Sequence, residues 1–487
     1  MHKHPRRKST RSTKPHIKVS APRQARRRTQ APKFPTPVTV KFGEAPNDCG
    51  GFVSLVLRRM GWGELEGLQA RKHKAGRPAH QLSRGQLLIA ILFHYTVSWA
   101  GSLAEHVFWL MGIQMDNGSL SERRQALPGV VFEELLRRLL CPLELASAQA
   151  FYRGWRLVAI DGVRFSLPNT EQVNQQCPKG SNQKGKAAFA KLQCAVLVEL
   201  LMHNPLAACL GWKGESEWNV AQGLLDRLPP NCLLLADRLY GCGAFLVAAW
   251  QRLKERKGHF LVRIKRNLKI VREIKRLVDG SRIVEIQALD PKDYHKVLTT
   301  MTVREIRATI QRKGFKTVHL RLWTSLLDGE QAPAMELIQL YISRWEQELY
   351  FRELKSELGV NDLLQSQTPE TAAQELAAMI IGSSLIAEER SKLKPGEELS
   401  HRISFIKVAE ILEPLWLTLL LGADILTEAQ KQQLSERFYA LASRQVMQKK
   451  RTRSCPRVLR QPIQPWPRKK NQPSSTEPIT VSVVRDC

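Results

Sequence analysis

The chain has 487 residues, 43% of them hydrophobic, which leaves room for a sizeable core and more than one domain. A formal net charge of +30 and a pI of about 10.1 favour a polyanionic partner, because neutralised phosphates release their counterions. Nine cysteines without one C-x-x-C pair argue against a zinc ribbon or a disulfide framework and suit a reducing compartment.

Residues 1–43 carry 13 Lys/Arg and no acid, and are rich in Pro, Ser and Arg; they are expected to form a disordered basic tail. No apolar segment follows the first basic residues, so no secretory signal is expected. Residues 44–150 lack strand alternation and are expected to be helical. Ser83 with Gln86 and Ser119 with Glu122 have capping-box spacing, and the second helix would present Arg123 and Arg124. With the basic loop "RKHKAGRP", this region reads as a DNA-binding domain or as a helical cap on the domain that follows.

From Arg156 the pattern becomes mixed α/β. "RLVAIDG", "AKLQCAVLVELL", "LAACLGWKG", "NCLLLADRLYG" and "HFLVRIKRN" are strands too apolar to face water. "SEWNVAQGLLDRL", with Ser216 as N-cap, and "CGAFLVAAWQRLKER" are helices between them. Residues 267–330 are rich in β-branched and charged residues, as several antiparallel strands would be. A helix is expected from Pro333 to Leu358, and further helices to about Lys449. A second basic tail, with ten Lys/Arg against two acids, follows; the body, 44–448, is still +9. The apolar runs "QLLIAILFHYTVSWAG" and "LEPLWLTLLLGADIL" are broken or flanked by His94, Glu413, Pro414 and Asp424. They fall short of the ~20 clean residues of a membrane span, so they read as buried helices.

Asp161 and Asp237 close apolar strands, where carboxylates commonly face a ligand crevice, and Glu348 lies on the helix. Three such acids suit two Mg²⁺ ions, which take oxygen ligands and serve phosphoryl transfer in pairs. In "YISRWEQELYFRELK", Tyr341, Arg344, Glu348 and Lys355 share one helical stripe within roughly 60°. That stripe is either a phosphate grip beside the metals or a solvated face with an i,i+4 ion pair. Ile338, Ile342, Trp345 and Leu349 form the neighbouring apolar face, expected in the core.

The spacing Y-x-x-R-x-x-x-E-x-x-x-x-x-x-K resembles the signature of insertion-sequence DDE transposases, in the branch called insertion-sequence family four. "VAIDGVRFSLPNT" and "LLADRLYGCGAFL" resemble the blocks around that family's first and second acids, and "QSQTPETAAQEL" and "RSCPRVLRQP" also resemble family stretches. The likeness covers roughly residues 60–460. Leu239 stands where the family usually has Gly, and Val163 where it commonly has Thr.

The resemblance implies an α/β fold with a ribonuclease H-like mixed-sheet core, a β-rich insertion between the second Asp and the Glu, and helical flanks. It divides the chain into 1–43 tail, 44–150 helical region, 151–266 first part of the core, 267–330 insertion, 331–365 signature helix, 366–448 helical region and 449–487 tail. It implies Asp161, Asp237 and Glu348 as catalytic metal ligands for two Mg²⁺, with Mn²⁺ able to substitute. It implies Tyr341, Arg344, Lys355, Arg238 and Trp323 as DNA contacts. Trp323 is the nearest candidate for an aromatic holding a flipped base, and equally suits a core tryptophan. The implied activity is cut-and-paste transposition through a hairpin, on double-stranded DNA comprising the element's terminal repeats and its target. A homodimer at the synapse, a nucleoid-associated cytoplasmic location and no membrane partner go with it. The alternatives are a nuclease of the same fold without strand transfer, and a domesticated, non-catalytic DNA-binding protein.

Overall fold

The chain first forms α1 (Phe52–Arg59), α2 (Trp62–Glu66), α3 (Arg84–Thr96), α4 (Leu103–Met111), α5 (Asn117–Gln125) and α6 (Gly129–Leu139). Ser83 caps α3 as its spacing predicts: its Oγ accepts from the Gln86 N–H, and Gln86 Oε1 accepts from the Ser83 N–H. Ser119 is not a cap. Asp116, three residues earlier, takes that place and accepts the Ser119 N–H at 2.9 Å, as a carboxylate at a helix start readily does. In the computed structural model the described residues are 39–68, 81–97, 101–144, 148–177, 179–182, 185–212, 214–265, 268–289, 295–311, 317–356, 358, 363–393, 403–447 and 480–483. The basic loop 71–78 and residues 1–38 lie outside them.

The mixed region holds β1 (Phe151–Tyr152), β2 (Trp155–Leu167), α7 (Glu171–Gln176), β3 (Ser181–Asn182), β4 (Gly185–Lys186), β5 (Ala190–Glu199) and β6 (Asn204–Gly211). It continues with α8 (Glu217–Gln222), β7 (Cys232–Ala236), α9 (Gly243–Glu255) and β8 (His259–Arg263). The insertion contributes β9 (Ile270–Arg276), β10 (Arg282–Leu289), β11 (Val297–Gln311) and β12 (Val318–Thr324). Helices α10 (Ala334–Ile342), α11 (Glu346–Ser356), α12 (Pro369–Ser391), α13 (Phe405–Leu421) and α14 (Glu428–Ala442) follow. Last comes β13 (Thr480–Val483), so part of the expected basic tail is a strand paired to β11. No helix among the described residues is long and apolar enough to cross a membrane.

One sheet runs β6-β5-β2-β7-β8-β12-β11-β10-β9, with β1 on β2 and β13 on β11. β2, β5 and β6 are antiparallel, whereas β7 and β8 join β2 in parallel, so the core sheet is mixed, as the resemblance implied. The insertion is not a separate leaf. β12 pairs antiparallel with β8 in the register Leu322↔Arg263, so the core sheet runs on into it.

Alternation along β2 assigns its two faces. Val158 and Ile160 pack towards α8 and α9. On the other face Leu157 and Ala159 pack towards α10, while Val163, Phe165 and Leu167 join the core around α12. The helices of 44–150 have no core of their own: Phe52, Phe93 and Phe132 share one cluster with Leu376, Ile380 and Trp416. Arg123 and Arg124, expected on a presented face, point inward. Arg124 donates to Gln374 Oε1 at 3.0 Å and Ser366 Oγ at 2.7 Å, and Arg123 to the Leu82 carbonyl at 3.2 Å.

Candidate functional site

β2 does not end at Asp161, as the apolar run suggested, but continues to Leu167. The ladder to β5 passes straight through, with Asp161 opposite Val196. The ladder to β7 stops at Ile160↔Ala236, where β7 ends. Asp161 and Asp237 are therefore successive to one laddered pair of parallel strands, and period two turns Asp161 to the face of Leu157 and Ala159. That face is the one crossed by the signature segment.

The segment is two helices, α10 and α11, joined by a 3₁₀ turn at Ser343–Trp345. α10 packs beside Leu157, Ala159, Leu233 and Leu235 through Leu337 and Ile338. The turn then holds Arg344 over Asp161. Its Nη1 donates to Asp161 Oδ2 at 3.3 Å and its Nη2 to Glu348 Oε1 at 3.0 Å. Tyr341 is buried and donates its hydroxyl to the Ala236 carbonyl at 3.3 Å, one residue before Asp237. Lys355 lies 5.4 Å over the Phe165 ring, further along β2. Tyr341, Arg344 and Lys355 thus face β2 or β7, and Glu348 is tied to Asp161 through Arg344.

The apolar face predicted beside them is only partly buried. Ile338 is in the core, but Ile342 and Trp345 are 50% and 57% exposed. A 3₁₀ turn advances about 120° per residue rather than 100°, so the helical phase assumed from the sequence slips there.

Burial pushes the Asp161 carboxyl up to about 7; Asp237 adds to the rise, and Arg344 opposes it. Burial also pushes the Tyr341 phenol up to about 12, which keeps it a donor. The Asp237 loop is tight: the Leu239 N–H donates to Asp237 Oδ1 at 2.6 Å and the Tyr240 N–H to the Asp237 carbonyl at 3.2 Å. Leu239 is accommodated because its φ is not positive, so the turn does not require the family's glycine. Gly241 is required by proximity, since a Cβ there would sit 2.3 Å from the Arg263 carbonyl oxygen. Arg238 is exposed beside Asp237.

Trp323 does not belong with these residues. It is 1% exposed, its Nε1 donates to Glu305 Oε1 at 3.3 Å, and it packs with Val262, Val284 and Val303. A ring so enclosed offers no face to a base, so the core reading holds.

One neighbour of the site escaped the sequence reading. Glu217, the first residue of α8, accepts from the Tyr240 hydroxyl at 3.0 Å. A Cβ on Gly162 would stand 2.1 Å from its carboxyl carbon, so Glu217 lies against the backbone beside Asp161. The available signal was the pair Asp161-Gly162, a glycine inside a strand marking a close approach.

The donor set is oxygen only, which suits Mg²⁺ or Mn²⁺. Asp161, half-buried and with its carboxyl raised further by Asp237, is where a divalent cation would relieve crowded negative charge. Among the described residues no three acids are already drawn together for a metal, and Arg344 lies between Asp161 and Glu348.

Residues 153–384 match the family described as Transposase DDE domain. The transposase InsG for insertion sequence element IS4, from Escherichia coli (strain K12), is 29% identical over 275 residues, 56% of this chain and 57% of that one. The chain therefore aligns with little more than half the length of that relative. A piggyBac transposase in a synaptic complex with hairpin DNA superposes with a TM-score of 0.38 and 7% identity, over 79% of this chain and 81% of that one. A superposition that loose carries no argument about the site.

Proposed function

From the premise that this chain belongs to the insertion-sequence DDE transposases, we propose that it cuts the ends of a mobile element and joins them to target DNA. The observation that carries this reading is the strand register. It sets Asp161 and Asp237 at the ends of one laddered pair, under a turn whose Arg344 links Asp161 to Glu348.

In this reading Asp161, Asp237 and Glu348 hold the divalent cations. Two such ions, when bound, supply an activated oxygen nucleophile and stabilisation of the leaving oxygen in an in-line displacement. The chain's own residues do the rest. Arg344, anchored on two carboxylates, offers a planar donor fork to a non-bridging phosphate oxygen. Lys355, over the Phe165 ring, and the exposed Arg238, next to Asp237, add positive charge. Tyr341 props the Ala236 carbonyl and so fixes where Asp237 begins its turn. Hydrolysis and strand transfer then use one site, since water and a 3′-hydroxyl both attack a phosphodiester in line. A hairpin intermediate fits the same geometry, because a 3′-hydroxyl freed by the first nick lies beside the opposite strand. Two ends must be joined, so a homodimer is the working assembly. Double-stranded DNA in the cytoplasm, at the nucleoid, is the partner.

The test uses a duplex carrying the repeats that flank the gene, with Mg²⁺ or Mn²⁺. Asp161→Ala, Asp237→Ala and Glu348→Ala should each abolish cleavage while end binding persists. Scoring joined as well as cut products separates transposition from plain hydrolysis. A wild-type rate from Glu348→Ala would overturn the assignment.

A further inference from the structure

The face of α11 away from Asp161 carries an ionic cluster that the proposed chemistry does not use. Glu346 and Glu353 are seven residues apart and therefore on one side of the helix, about 140–160° round from Glu348. Both are bonded to one side chain. His203 Nδ1 lies 2.6 Å from Glu353 Oε2 and its Nε2 lies 3.0 Å from Glu346 Oε2. His203 sits in the turn between β5 and β6 and is 4% exposed, with a left-handed φ of 52°.

A carboxylate only accepts, so an imidazole bonded to two of them must carry a proton on each nitrogen. The charged groups facing it are Glu346 and Glu353 from α11 and Arg390 from α12, itself 1% exposed. Burial and Arg390 disfavour the imidazolium; Glu353 and Glu346 favour it, and the net effect raises its pKa. The neighbouring Gln347 donates to the Val196 carbonyl of β5 at 3.0 Å, which fixes the helix's distance from the sheet. Tyr350 and Leu354 bury the apolar side of α11 in the core, and the Tyr350 hydroxyl meets Ser383 Oγ at 3.3 Å. That packing sets the helix's rotation coarsely; two polar contacts one full heptad apart, meeting at one rigid ring, narrow it further.

Resting on the transposase reading, we propose that His203 is a positioning residue. As an imidazolium it locks the rotation of α11 and so sets the direction in which Glu348 faces Asp161. Asparagine at 203 tolerates the left-handed backbone while removing the ring, so His203→Asn isolates the clamp. Glu353→Gln keeps an acceptor but removes the charge that favours the imidazolium.

On the full chain with end duplex and Mg²⁺, His203→Asn should lower kcat for nicking roughly tenfold or more, with KM for the duplex within about twofold. The clamp is present below the pKa of His203 in the folded protein and is lost as pH rises through it. In Glu353→Gln the alkaline fall in kcat should therefore begin at lower pH than in the wild type. A second readout needs no catalysis. With ¹⁵N-labelled histidine, the resonance missing from His203→Asn should show both nitrogens protonated at pH 7.5, where exposed imidazoles are neutral. A neutral ring at that pH, or equal losses of nicking and end binding in His203→Asn, would overturn the proposal. A doubly protonated ring in a wild-type protein that cuts no end would instead sink the transposase reading and leave the clamp standing.

Discussion

Arg344→Ala removes the guanidinium that ties Asp161 to Glu348, and its cost follows from the two contacts. The Asp161 contact is well buried, at 13% and 17% side-chain exposure, and a hydrogen bond between charged groups there is worth about 1.5–3 kcal/mol. Glu348 is 39% exposed, so its share is discounted for solvent to well under about 1 kcal/mol. If the fork grips a phosphate most strongly where DNA bends hardest, losing that charge-assisted contact, about 1.5–3 kcal/mol, falls separately on hairpin formation and opening. That is roughly tenfold to over a hundredfold in those rates. A time course resolving nicked, hairpin and double-strand-break products reads it directly, and nicked DNA should accumulate at near-normal speed. Tyr341→Phe is the companion variant. Its hydroxyl is committed to the Ala236 carbonyl, so its loss should slow the hairpin steps by no more than about tenfold, the size of one neutral hydrogen bond. If folded Arg344→Ala matched the wild type at every step, the stripe would be an ordinary ion-paired face and the phosphate grip would be refuted.

Trp323→Ala should lower stability by about 3–5 kcal/mol, seen as a depressed Tm, and impair every DNA step alike; a selective hairpin defect at unchanged Tm would contradict the core placement. Deleting residues 1–43, with their 13 Lys/Arg, should weaken binding to random DNA and flatten the plot of log K against log salt, leaving cleavage of saturating substrate unchanged. An unaltered salt slope would show that these residues contact no phosphate.

What the sequence made legible was what local rules govern. The Ser83 box, the Ser216 cap, the apolar strands and the Tyr341-to-Lys355 spacing all depend on neighbours a few residues away. What it hid depends on pairing. Nothing in "RLVAIDGVRFSL" says that the strand continues past its acid, because β5 supplies the partner that carries it to Leu167. The burial of Trp323 comes from β10, β11 and α9 closing over β12, and the β-propensity of residues 267–330 could not indicate that they extend the core sheet. The inward turn of Arg124 depends on α12, some 250 residues later. His203 was passed over for the same reason, since its two carboxylates lie about 150 residues away and its own turn carries no recognisable pattern.

The ladder between β2 and β5 runs ten pairs, from Val158↔Glu199 to Leu167↔Ala190, without a slip. The side-chain period in a strand is two, so gaining or losing one residue in the stretch from Trp155 to Ile160 would turn Asp161 to the α8 face, with Ile160 or Gly162 exchanged into its place. Residues of similar character could replace most of that stretch without moving the carboxylate. For a gene that drifts by copying errors, a missing codon there is therefore a different event from a changed one: the protein can keep its core, its charge and every acid, and still present the first of them to the wrong side of the sheet.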